Sequence, residues 1–183
     1  RDVERSRGLG DVYKRQREII PLEQEICHVR SYLDIQKMRY GDRLDYQIRI
    51  PEELKKLYTV KLLIQPLAEN SIYHGIKESD RKGTILITAG EEPGGFYLCV
   101  RDDGLGISQE TLTILNADLK RGVTVSDGGY GIFNVNERIR LYFGRDYGLE
   151  LRSCAGEWTE AVIHLPKYIP ERTEWDVSDF DRR

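Results

Sequence analysis

The sequence predicts an α+β fold: a two-layer sandwich in which a mixed, mostly antiparallel sheet carries helices on one face. Three observations predict it. Helical and strand periods of apolar residues succeed one another through the middle of the chain. Two pairs of strand runs are joined by glycine-bearing turns, so hairpins are as evident as crossovers. The order reads helix, strand, helix, strand, strand, helix, loop, helix, strand, strand. A doubly wound parallel sheet would alternate strand and helix throughout, and this chain does not.

The first sixteen residues, RDVERSRGLGDVYKRQ, carry many charges and no sustained apolar period. They read as a disordered leader that need not be native sequence, and they are set outside the fold. PLEQEICHVRSYLDIQKMRY then places Leu22, Ile26, Val29, Leu33 and either Ile35 or Gln36 near helical spacing. Acids come early and bases late, as the helix dipole favours, and Pro21 suits a first turn. RLDYQIRI alternates Leu44, Tyr46, Ile48 and Ile50, a half-buried strand stopped by Pro51.

VKLLIQPLAENSIYHG reads as a helix with Leu63, Leu67, Asn70 and His74 about one turn apart and Gly75 as its stop. Pro66 is expected to bend it or to sit in its first turn. TILITA and FYLCVR flank GEEPGG, a hairpin with a generous turn. Ser108 is placed to cap the helix in SQETLTILNADLK. RGVTVSDGGYG has many glycines and no regular apolar face, so it reads as a mobile loop. IFNVNERIRLYFG is helical and ends at Gly144, and GLELRSCA and WTEAVIHLP form a last hairpin across Gly156. The charged tail from Pro170 is expected to fray.

The 183 residues, 39% hydrophobic and 32% charged, suffice for one packed core. A formal net charge of -3 offers no excess of basic charge to nucleic acid or anionic lipid. Cys27, Cys99 and Cys154 lack metal-ligand spacing and have apolar neighbours, and read as reduced, buried thiols of a cytoplasmic protein. No apolar run approaches the ~20 residues of a membrane span.

The chemistry gathers at four spots: QPLAEN with HG, DDGLG, GGYG and GEWT. In VRDDGLGI an apolar strand runs into two acids and then two spaced glycines. Carboxylates repel phosphate, so this is not simply a phosphate cradle. A P-loop is excluded because GxxxxGK[ST] occurs nowhere. GYGIFN holds two of the three glycines of a dinucleotide fingerprint, but Asn134 stands where the third belongs and a loop precedes it. The protein-kinase motif set is also absent.

In that order, YLDIQKMRYGDRL, QPLAENSIYHGI, VRDDGLGI, GGYGIFNVNERI and GEWTEAVIHLP resemble the catalytic domain of bacterial sensor histidine kinases of the LytS/YesM-like class. That class shares its ATP-binding fold with gyrase, Hsp90 and MutL. The resemblance runs from about Pro21 to Pro166. It implies a Bergerat-type fold, ATP and Mg2+ as ligands, and transfer of the γ-phosphoryl group to a histidine. It also divides the chain: a leader at 1–16, the end of a dimerisation and phosphotransfer helix at 17–40, the ATP-binding domain at 41–169 and a tail at 170–183.

By the resemblance, Asp102 accepts a hydrogen bond from the adenine amino group, while Gly104 and Gly106 let the backbone pass close to the base. Asn70 becomes the ligand to Mg2+; an amide oxygen binds a hard cation without adding charge beside polyphosphate. Glu69 is a candidate base, a holder of water or metal, or a solvent-facing residue. His74 either lines the phosphate side or serves the helix end. Gly129 and Gly131 match the second glycine box, Asn134 supports it one turn later, and Thr159 borders the adenine. Three positions depart from the family pattern. Tyr73 stands where a basic residue is common, Val60 replaces a proline, and Trp158 replaces a glycine, which puts the local backbone there in doubt.

His28 is not the expected phosphoacceptor. The family's acceptor lies in a segment resembling NPHFLYN, which this sequence lacks, and His28 reads as a packing or surface residue. The chain is therefore expected to begin after the acceptor and not to phosphorylate itself. The implied partners are the acceptor-histidine domain of the same or a paired protomer, a response regulator reached indirectly, and a second copy in a homodimeric parent; no nucleic acid is implied. The domain would face the cytoplasm with its parent anchored in the cell membrane. Alternatives on the same fold are a stand-alone ATPase or an anti-sigma-factor-type serine kinase, against which the helix from Pro21 to Tyr40 argues. A non-catalytic ATP-binding scaffold is another, hinted at by Trp158 and Tyr73.

Overall fold

The structure, a computed structural model, describes residues 18–77, 81–122 and 130–169. The leader at 1–16, the tail from Pro170, and the part of the glycine-rich loop at 123–129 lie outside the described residues.

β1 (Ile19–Pro21) leads directly into α1 (Leu22–Tyr40). Leu22, Ile26, Val29 and Leu33 of α1 are buried, each contributing about 1.5–3 kcal/mol relative to exposure. Steps of four, three, four and three residues carry this seam on to Gln36. Ile35 lies one position off it and is 62% exposed, so of the two expected alternatives Ile35 is excluded from the core. Cys27 is likewise exposed, against the expectation of buried thiols; Cys99 is buried, Cys154 is partly so, and all three are free.

After a short turn come β2 (Leu44–Arg49), the one-turn α2 (Glu52–Lys55) and β3 (Tyr58–Val60). β3 pairs antiparallel with β1, Ile20 opposite Thr59. The sequence reading contained neither β1, α2 nor β3, because elements of three or four residues are too short to show a period. α3 (Ile64–Asn70) follows, with Pro66 in its first turn as expected. The helix does not stop at Gly75. It widens into a π-type turn over Ser71–Ile76 that runs through the glycine.

β4 (Gly83–Glu92) and β5 (Gly95–Asp102) form the first hairpin. Its turn is tighter than expected: the strands absorb most of GEEPGG and leave Pro93 and Gly94, the latter at φ 83°. α4 (Gln109–Arg121) starts at Ser108, whose Oγ accepts from the Thr111 N–H at 3.3 Å. α5 (Tyr130–Phe143), β6 (Gly148–Cys154) and β7 (Trp158–Leu165) complete the order.

The main sheet runs β2-β4-β5-β7-β6. Only β2 and β4 are parallel; the other three pairings are antiparallel. The parallel pair follows from the intervening α2, β3 and α3, since a tight turn cannot join parallel neighbours. Alternation puts Phe96, Leu98 and Val100 of β5 into the core, and Asp102 falls in the same phase. A carboxylate therefore ends a core row.

Edge strand β6 is covered by two side-chain amides. Asn116 donates to the Leu151 carbonyl at 2.8 Å and accepts from the Leu151 N–H at 2.9 Å. Asn136, 3% exposed, donates to the Leu119 carbonyl and accepts from the Leu149 N–H, both at 2.9 Å. These amides satisfy polar groups that an open edge would offer to another strand, and they fasten α4 and α5 beside the sheet.

Candidate functional site

Asp102 closes β5 opposite Ile85 of β4 and Thr159 of β7. It is 4% exposed. Burial pushes its carboxyl up from the ordinary aspartate value; hydrogen bonds from the Ser71 hydroxyl and the Gly104 N–H act the other way. The Gly104 N–H donates to Oδ1 at 3.1 Å. A carboxylate offers about four lone-pair positions, so these two donors leave capacity for another. An ionised carboxylate accepts and never donates, so the site selects ligands that present an N–H or O–H.

Two glycines let the backbone pack directly against the carboxylate. A Cβ on Gly75 would sit 2.5 Å from Asp102 Oδ1. Gly104 packs on the backbone of Gly75 so closely that its own Cβ would overlap the Gly75 Cα and carbonyl. The widened turn after α3 and the end of β5 thus touch backbone to backbone. Gly106, at φ 65°, lies against the Cys154 carbonyl and brings the chain to the β6–β7 hairpin. There the Gly156 N–H donates to the Leu105 carbonyl at 2.6 Å.

Ser153 joins the same end of the sheet. Its Oγ accepts from the Ile107 N–H at 2.7 Å, donates to the Trp158 carbonyl at 2.6 Å and lies 3.3 Å from Thr159 Oγ1. Trp158 itself sits in regular register opposite Cys154, so replacing the family's glycine leaves the strand intact. Its ring turns outward beneath the Arg101 guanidinium, 4.5 Å from the ring centroid.

Asn70 lies at the end of α3, partly buried. A Cβ on Gly131 would come 3.0 Å from its Nδ2, so the amide meets the first turn of α5. Asn134 is exposed one turn along α5. Glu69 is exposed, accepts from Gln65 Nε2 at 2.9 Å within α3, and stands near enough to Tyr32 of α1 to help raise that phenol to about 12, an effect led by burial. His74 is exposed and packs edge-on to Tyr73, ring centroids 4.9 Å apart. Lys77 Nζ lies 4.7 Å from the Tyr73 ring centre, so a cation stands over the tyrosine that replaces the family's basic residue. Gly129 lies outside the described residues.

The structure therefore brings Asp102, Gly104, Gly106 and Thr159 together at one end of the sheet, and sets Asn70 against Gly131. Glu69 and His74 stand apart on exposed positions. Sequence reasoning assigns no role to Ser71 or Ser153 and gives Gly75, within the HG spot, only that of a helix stop. Ser71 and Gly75 had a signal, a serine directly after Asn70 and a glycine inside an apolar helical period. Ser153 had none.

The family description "Histidine kinase-, DNA gyrase B-, and HSP90-like ATPase" matches residues 58–169, and a "Histidine kinase" description matches residues 7–44. Sensor histidine kinase YesM of Bacillus subtilis (strain 168) is 34% identical over 151 residues, covering 82% of this chain and 24% of its own length. Sensor protein LytS of Bacillus anthracis is 31% identical over 183 residues, covering 94% of this chain and 31% of its own length. The chain thus spans less than a third of either relative. Among solved structures, the nucleotide-free catalytic domain of histidine kinase ThkA superposes with a TM-score of 0.60 at 14% identity, covering 81% of this chain and 94% of that one. Histidine kinase AdeS of Acinetobacter baumannii gives 0.58 at 15% identity, covering 83% and 68%. At such identities these two likenesses concern the fold, which is the mixed-sheet sandwich expected from the sequence. With the ATPase description matched over more than half its length, the chain belongs to the histidine kinase-, DNA gyrase B- and HSP90-like ATPase family.

Proposed function

We propose that this chain is the ATP-binding catalytic unit of a sensor histidine kinase and serves transfer of the ATP γ-phosphoryl group to a histidine outside it. The observation that carries the reading is Asp102: a buried carboxylate with acceptor capacity, approached through two glycine backbones. That donor and acceptor set fits the exocyclic amino group of adenine. Guanine would present a carbonyl oxygen there, and two acceptors would face each other. Thr159 and Ser153 border the same end of the sheet with hydroxyls that can orient a base or a water.

Bound Mg·ATP would supply the transferable phosphoryl group and the divalent charge that offsets the triphosphate. Among the described residues no three His, Cys, Asp or Glu side chains gather as a metal site. Asn70 would be the chain's ligand to Mg2+, with phosphate and water oxygens filling a shell that this cation keeps largely hydrated. Gly131 opens the start of α5 beside Asn70, where helix N–H groups suit phosphate oxygens. Asn134 would support that turn, and His74 would stand at its solvent side. The unit's contribution is positioning and charge compensation. No proton transfer is assigned to Glu69.

The proposed partners are the acceptor-histidine domain of the same or a paired protomer and, after it, a response regulator. The parent is proposed as a membrane-anchored homodimer with this unit on the cytoplasmic side. No helix among the described residues is long and apolar enough to cross a membrane. The packed helix α1 and the histidine-kinase match at 7–44 support this reading over a stand-alone ATPase or serine kinase.

Calorimetric ATP titration, with magnesium and with a chelator, tests it. Asn70→Ala should lower Mg·ATP affinity roughly 10-fold, the loss of about 1.4 kcal/mol, and lower magnesium-free binding less. Wild-type chain that bound neither form would refute the proposal.

A further inference from the structure

Glu25 is a charged residue in the buried seam of α1, and only 1% of it is exposed. Among the described residues its hydrogen-bond partners include no cation. Its carboxylate instead reaches across to the start of α3. Oε2 accepts from the Leu62 N–H at 2.8 Å, and Oε1 accepts from the Leu63 and Ile64 N–H groups at 2.6 and 3.0 Å. Helix starts leave such N–H groups without partners, and their partial positive charge favours an anion. Here that anion comes from a different helix, 37 to 39 residues earlier in the chain.

The contact holds a strained backbone. Leu62 adopts φ 59°, the one left-handed non-glycine residue among those described. That conformation turns three successive N–H groups of the Leu62–Ile64 stretch onto one side chain. α3 carries no cap of its own: its flanking Leu63 makes no side-chain capping bond. The polar anchoring at the start of α3 therefore rests on Glu25, beside the burial of Leu63, Ile64 and Leu67 in the core. From Ile64, α3 runs about 9 Å to Asn70 and then, through Ser71 and Gly75, to Asp102.

We propose that Glu25 is a positioning residue for the nucleotide site: by fixing the start of α3 to α1, it sets where Asn70 meets α5. The proposal rests on the ATP-binding reading above and adds that α1 and the metal-binding end of α3 move as one piece. Displacing α1 would displace Asn70 through three directional hydrogen bonds in addition to the apolar contacts of the shared core.

Glu25→Gln and Glu25→Ala in this chain test it. Gln keeps the volume and the Oε1 acceptor for Leu63 and Ile64, but turns an N–H2 group towards the Leu62 N–H. Each variant is compared by urea unfolding and by ATP titration with magnesium and with a chelator, alongside Asn70→Ala. Folded Glu25→Gln should lose roughly 3-fold in Mg·ATP affinity and Glu25→Ala roughly 10-fold, as expected for one and for several stranded buried donors. Both losses should be smaller without magnesium. A purely structural role would lower the urea midpoint and leave the affinity of the folded chain unchanged. Glu25→Gln that binds both nucleotide forms like wild type, while Asn70→Ala loses Mg·ATP binding, overturns the positioning role. If Asn70→Ala loses nothing, the magnesium assignment fails instead; an equal Glu25→Gln loss with and without magnesium then still supports positioning, and no loss overturns it.

Discussion

Replacing Gly75 by alanine would place a methyl group where the structure leaves none. The new Cβ would lie 2.5 Å from Asp102 Oδ1 and 2.9 Å from its Cγ, whereas ordinary contact begins near 3.4 Å. Either the carboxylate or the turn must yield by about 0.9 Å, the difference between those distances. The same Oδ1 accepts from the Gly104 N–H at 3.1 Å, and Gly104 is packed on the Gly75 backbone, so neither neighbour moves freely. Overpacking of this kind costs about 1–3 kcal/mol. Alanine in helical conformation returns up to ~1 kcal/mol over glycine, so stability should fall by only about 0–2 kcal/mol. Nucleotide binding has no such compensation. A hydrogen bond to a charged acceptor contributes about 1.5–3 kcal/mol, and losing it through a displaced Asp102 should weaken ATP binding roughly 10- to 100-fold. Urea unfolding and calorimetric ATP titration of Gly75→Ala read the two quantities separately. Affinity within about 2-fold of wild type in a chain of native stability would refute the reasoning and remove Asp102 from the base contact.

Two further outcomes follow from the same carboxylate. Asp102→Asn should narrow the preference for ATP over GTP, because an amide can donate to guanine's carbonyl. Asp103→Asn should be mild: Asp103 is exposed and its Oδ1 accepts from the Thr84 N–H at 2.6 Å, a bond an amide oxygen can keep. Competitive titrations decide this, and a damaging Asp103→Asn would shift the motif by one residue. The second outcome is a pH dependence. Burial raises the folded-state value of Asp102, so between the unfolded carboxylate value and that raised one the native chain holds the extra proton. Its contribution to stability therefore falls as pH rises through this window, while ATP affinity rises as the acceptor ionises. Unfolding and binding measured in wild type and Asp102→Asn from the ordinary carboxylate value upward should differ by both slopes, which the variant loses while keeping those of other carboxylates such as Asp45 and Glu150.

Much of this architecture was legible because its elements are long enough to show a period. The seam of α1, the two hairpins and the Ser108 cap all follow from spacing and turn residues. The errors have local causes. Ile35 is as apolar as Leu33, and only its phase, one position off the four-three-four-three steps from Leu22 to Gln36, sends it to solvent. β1, α2 and β3 are too short to carry a pattern and exist through pairing such as Ile20 with Thr59. Gly75 reads locally as a stop because many helices end at a glycine. Its reason for being there is a carboxylate on a distant strand, which no local rule contains.

The site divides the same way. Asn70, Asp102, Gly104 and Gly131 sit in recognisable motifs, but their relation to one another is set by long-range contacts, one of them to a residue outside those motifs. α3 shows this most directly. Its start is held by Glu25, a buried carboxylate on α1, and its widened end is held by Asp102, a buried carboxylate on β5. A short helix of seven residues has little stability of its own, so its placement follows those two anchors rather than its propensity. At the junction of the helix and the π-type turn, Ser71 bonds to Asp102 while Asn70 faces Gly131. The anchors do unequal jobs. Asp102 retains capacity to accept from a ligand, whereas Glu25 spends both oxygens on three backbone donors and is enclosed. One carboxylate therefore keeps an acceptor free and the other is fully engaged, and under the proposed function the first serves recognition and the second alignment, a division that the motif residues alone do not describe.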